Sequence, residues 1–193
     1  MANKKVPGSI TLDDFTKIDG DLRKILQTTG AKEAHLRLND SDDDELAPYF
    51  VGWVEDSDLK SNREAKNHPD PGLYRFGDPV LSSVYLQAYE MAKNAHQAIL
   101  FSKNWDGDLH QKRLDEKALA PKAGVMHQKC MGIVLKKDGV DRFVGTLNVG
   151  FAAPPSDSDN ATIENVITQW ADPATSTLVQ WLDTQFTLFG PPI

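Results

Sequence analysis

The chain of 193 residues carries 21 Lys+Arg against 28 Asp+Glu, a formal net charge of −7 that gives polyanions no bulk attraction, so nucleic acid is not an expected partner. Apolar residues at 40% and charged residues at 25% are globular values, which excludes disordered, collagen-like and coiled-coil readings and leaves one domain over residues 1–193 as the expectation. The single Cys130 excludes an internal disulfide and any multi-cysteine metal site, and no apolar run follows Lys4-Lys5 or approaches the ~18 residues of a membrane span, which points to a cytoplasmic protein.

Thr11 and Asp14 stand at capping-box spacing, and Phe15, Ile18, Leu22, Ile25 and Leu26 then recur at helical intervals up to Gly30. Gly20 is the weak point of that helix, costing about 1 kcal/mol relative to alanine and inviting a break. Ala34, Leu36 and Leu38 alternate with His35 and Arg37 as in a half-buried strand, and Phe50 to Val54 suits a second strand in an antiparallel hairpin with the first. The acidic run 40–45 between them reads as a solvated turn, because a calcium loop would need glycine at its sixth position, where Glu45 stands. A polar loop follows from Glu55 to Asp70, closed by Pro69-Asp70-Pro71-Gly72. From Leu81 to Ala95 one face stays apolar through Val84, Tyr85, Ala88, Met91 and Ala92, which predicts a helix. Ala98 to Phe101 is a short strand, and the charged span Lys103 to Lys122 a loop.

From Lys129 to Phe151 the period changes to two, with a turn at Lys137-Asp138-Gly139, so a β-hairpin is expected. Ser156 caps a helix carrying Ile163, Val166, Ile167 and Trp170; Pro173 interrupts it, and Leu178, Trp181, Leu182 and Phe186 resume the stripe to Phe189. The order of elements makes the fold α+β, an antiparallel sheet with helices packed on it. The run Met131-Gly132-Ile133-Val134-Leu135, then Asp138-Gly139, then Val144-Gly145-Thr146-Leu147-Asn148-Val149 resembles the closing signature of GAF domains. The resemblance implies a five- or six-stranded antiparallel sheet, terminal helices on one face, and on the other a small-molecule pocket lidded by the middle segment.

The hairpin itself has a bulky side, Met131, Ile133 and Leu135 beside Phe143, Leu147, Val149 and Phe151, and a small or polar side, Cys130, Gly132, Val134, Thr146, Asn148 and Gly150. The small side must receive large side chains, with Trp53, Tyr85, Tyr89 and Trp105 as candidates, or line a space for a ligand. The candidate ligand contacts are accordingly Trp53, Tyr85, Tyr89, Trp105, His127, Cys130, Thr146 and Asn148, together with Arg75, which would meet the phosphate of a nucleotide while Tyr85 or Trp105 stacks its base.

Cys130 follows His127 by three residues, a spacing that sets the two on opposite faces of a strand and disfavours a thiolate pair. Among GAF-type activities, reduction of free methionine sulfoxide relies on more than one cysteine, bilin attachment uses a Cys next to His where this chain has Met131, and the cyclic-nucleotide signature is absent around Asp115-Glu116. The five histidines show no HExxH or paired metal spacing, and no cofactor is named by any motif. The expected role is a small-molecule-binding sensory module without catalysis, dimeric through its first and last helices and acting in trans on a separate effector protein. The alternatives are an interaction scaffold whose pocket is filled by its own side chains and a redox enzyme using Cys130.

Overall fold

A computed structural model describes residues 4–41, 46–55, 82–104 and 125–193, apart from the side chains of Phe50, Trp53, Ser82 and Ser83. The expected loop from Asp56 onward, the acidic residues 42–45, Arg75 and Trp105 lie outside the described residues. Helix α1 (Leu12–Thr29) begins on the capping box, Thr11 N–H donating to the Asp14 carboxylate at 2.8 Å, and ends on Gly30 in the left-handed region at φ 66°. Burial pushes the Asp14 carboxyl up, but hydrogen bonds from Lys5 and Thr11 outweigh it and hold the group below its ordinary range. Gly20 does not split the helix.

Strands β1 (Glu33–Asn39) and β2 (Pro48–Glu55) form the expected hairpin. The Asn39 side chain braces its mouth, accepting from Ala47 N–H at 2.7 Å and donating to the Ser41 carbonyl at 3.2 Å. Helix α2 (Ser82–Ala95) precedes β3 (Leu100–Asn104), which starts two residues later than the sequence pattern suggests and takes Lys103 and Asn104 out of the expected loop. Backbone pairing with Gln128 and His127 overrides their charge and polarity. Strands β4 (His127–Lys137) and β5 (Val140–Phe151) meet at a two-residue turn in which Asp138 and Gly139 both have positive φ, as a type I′ hairpin requires. Ser156 caps α3 (Asp157–Ala171) and Ser176 caps α4 (Thr177–Gln185).

The five strands make one antiparallel sheet in the order β2-β1-β5-β4-β3. One face carries Ala34, Leu36, Leu38, Met131, Ile133, Leu135, Leu147 and Val149 against α1, α3 and α4. Gly52 lets α1 lie on β2, since a Cβ there would stand 2.4 Å from Ile18 Cγ2. The same face buries Lys129, whose Nζ donates to Glu164 on α3 at 2.8 Å and to Ser102 at 3.2 Å. The opposite face receives α2.

Phe143 departs from the expected bulky side. Between Ile133 and Val134 the ladder steps one residue on β4 but two on β5, so Val144 is a bulge residue and everything beyond it changes face. Val144 therefore joins the core beneath the terminal helices, while Phe143 packs with Tyr85, Ala88 and Cys130 beneath α2.

The C-terminal stripe also ends differently. Helix α4 stops at Gln185, and the chain continues as an extended tail: Lys5 N–H donates to the Gln185 carbonyl, Thr187 N–H to the Lys5 carbonyl, and Phe143 N–H to the Pro191 carbonyl. Phe186 is fully buried in its own core, and Trp181 packs edge-on to it at 6.0 Å under the Lys17 ammonium. These residues thus have partners within the chain. No helix among the described residues is long and apolar enough to cross a membrane.

Candidate functional site

On the face beneath α2, strand register lines up side chains in three rows. Glu33, Gly150 and Gln128 form one; His35, Asn148, Cys130 and Phe101 the next; Arg37, Thr146 and Gly132 the third. The Glu33 side chain lies across Gly150, where a Cβ would stand 2.6 Å from Glu33 Cγ. Glu55 pairs opposite Glu33 in register. Eight polar residues of this sheet face, Glu33, His35, Arg37, Asn39, Glu55, Gln128, Thr146 and Asn148, are buried. Side chains of this kind are rarely buried unless they are paired or bind something.

The half of the face under α2 is apolar and closed. Tyr85 and Tyr89 meet Phe143 edge-on with ring centroids 5.3 and 5.6 Å away, and Phe143 in turn covers Gly132, where a Cβ would approach its Cε2 to 2.8 Å. At the boundary between the halves, burial pushes both the Tyr85 hydroxyl and the Cys130 thiol far above their ordinary ranges, opposed only in part by the Arg37 guanidinium that acts on both. Burial thus favours the neutral tyrosine, a hydrogen-bond donor, and the neutral thiol over a thiolate nucleophile. Asn148 Nδ2 donates to Thr146 Oγ1 at 2.9 Å, which orients the amide and leaves Asn148 Oδ1 buried without a donor among the described residues. The Tyr85 hydroxyl is likewise buried without a partner among the described residues.

Of the residues singled out from sequence, Tyr85, Cys130, Thr146 and Asn148 come together here, and Tyr89 borders them. The Trp53 backbone pairs with His35, while Arg75 and Trp105 lie outside the described residues. His127 sits on the other face, its ring 6.3 Å from Phe151 and its Nδ1 2.6 Å from Asn104 Oδ1, so His127 and Cys130 form no pair. Burial and the neighbouring Lys129 charge depress its pKa. Sequence reasoning missed Glu33, His35, Arg37 and Glu55. The available signal was an alternation in β1 whose polar positions carry charge of both signs, which reads as a solvated face until the burial is known. Among the described residues, no three His, Cys, Asp or Glu side chains are placed to hold a metal ion.

This fold superposes on solved structures. GAF3 of Slr1393 from Synechocystis sp. PCC6803, in its photoproduct state, superposes with a TM-score of 0.50 at 10% identity over 88% of this chain and 96% of that one. The fold is GAF-like. Two further structures also align to this GAF-like chain. The ligand-binding domain of VqsR from Pseudomonas aeruginosa reaches a TM-score of 0.48 at 14% identity over 86% and 85% of the two chains. The TePixJ cyanobacteriochrome GAF domain reaches 0.45 at 10% identity over 95% and 99%. No protein-family model matches the chain, and neither does any curated protein.

Proposed function

We propose that the chain is a small-molecule-binding regulatory module, without catalysis of its own, whose ligand sits on the polar half of the sheet face beside α2. The observation that carries this reading is the burial of Glu33, His35, Arg37, Glu55, Gln128, Thr146 and Asn148 on one side of a GAF-like sheet, beside an apolar half that is already filled. An ordinary core places apolar side chains there. Burial of the Cys130 thiol, which pushes its pKa well above the ordinary range, argues against the redox alternative. Native mass spectrometry of the protein purified from cells tests the proposal: a retained small molecule supports it, and a bare chain mass, together with no thermal shift across a metabolite panel, contradicts it.

The scaffold alternative draws on a specific observation, the plugging of the Gly132 and Cys130 region by Phe143 and Tyr85. It predicts a face that accepts nothing in solution. Signalling in trans, through a homodimer or a separate effector protein, is part of the proposal and does not draw on Phe186, which the chain buries in its own core. Light scattering with and without the retained molecule reads it: a ligand-dependent change in mass is expected for the dimer route, and an unchanged monomer contradicts that route.

A further inference from the structure

The Tyr85 hydroxyl and Asn148 Oδ1 are buried on this face without a hydrogen-bond partner among the described residues, and they differ in kind. The Tyr85 hydroxyl is a donor in search of an acceptor, whereas Asn148 Oδ1 is an acceptor in search of a donor. Both flank Cys130, which pairs with Asn148 across the β4/β5 ladder and lies within electrostatic reach of Tyr85. Leaving such atoms dry is costly, so a bound group is expected to satisfy them. A hydrocarbon satisfies neither, and a simple anion satisfies only the tyrosine.

The charges on β1 and β2 order the ends. Arg37, which acts on Tyr85, stands in the Thr146 row, while the acids Glu33 and Glu55 lie beyond the Asn148 row at the other end. Same-face rows on a strand are about 7 Å apart, a distance spanned by a short molecule and two hydrogen bonds. Resting on the binding reading above, we infer that the ligand is a compact α-amino or α-hydroxy carboxylate. Its carboxylate accepts from the Tyr85 hydroxyl at the Arg37 end, and its N–H or O–H donates to Asn148 Oδ1. The amino or hydroxyl group thereby faces the acidic end of β1.

The test is calorimetric titration of the whole chain with glycolate, L-lactate, L-serine, L-leucine and L-glutamate, with acetate and 2-propanol as probes lacking the donor or the carboxylate. At least one member of the first group is expected to bind, and neither control. Tyr85→Phe and Asn148→Leu, each checked for an intact unfolding transition, are expected to weaken that binding about tenfold. Binding of acetate as tightly as lactate overturns the inference, as does binding that both variants leave unchanged. If none of the acids binds while native mass spectrometry shows a retained molecule of another class, the ligand class is wrong and the binding reading stands. If none binds and nothing is retained, both fall.

Discussion

Gly132 owes its place to an aromatic ring. A methyl group there would stand 2.8 Å from Phe143 Cε2, and that ring is pinned between Tyr85 and Tyr89, so it has nowhere to turn. Gly132→Ala is expected to destabilise the chain by about 1–3 kcal/mol, the usual cost of overpacking, read as a lower urea midpoint. His127 makes a prediction of opposite character, because burial and Lys129 depress its folded pKa below the ordinary 6.5. The unfolded chain then binds the proton more readily, so stability is complete above about pH 6.5 and is lost as pH falls toward the folded value. Glu164, held below its ordinary range by Lys129, opens a separate window only in stronger acid. His127→Gln is expected to flatten the first window in thermal melts between pH 7 and 5 and to leave the second; an unchanged slope contradicts the assignment.

At the scale of elements, α1 shows how local chemistry and context divide the work. Its start at the Thr11–Asp14 box and its stop at Gly30 follow from capping alone. Gly20 stays helical because its neighbours Ile18, Leu22 and Ile25 are fully buried in the core, while its own position is exposed, with no atom of the described residues within 4 Å of where a methyl group would sit. Gly20→Ala is therefore expected to stabilise the chain by about 0.5–1 kcal/mol, measured by denaturant unfolding. The terminal hairpin is equally readable, since alternation and an Asp-Gly turn specify pairing and register together. Phe143 is not, because one extra residue at Val144 reverses the face of all that lies beyond it, and nothing in a period-two pattern marks a bulge. The same limit hides the site: alternation in β1 separates Glu33, His35 and Arg37 from Ala34, Leu36 and Leu38, but what covers the polar set is decided by distant chain.

For the molecule as a whole, the two sheet faces do different things. The face under α1, α3 and α4 is an apolar core stitched by the Lys129–Glu164 pair and sealed by tails that bind each other and the edge of β5. The other face combines a filled apolar half with a half in which charged and amide groups are buried. That asymmetry is the basis of the functional proposal, and a crystal structure of the protein as purified addresses it most directly. The account predicts density for a small organic molecule within hydrogen-bond reach of the Tyr85 hydroxyl and Asn148 Oδ1. A face on which protein side chains satisfy both atoms and leave no space beside them contradicts it.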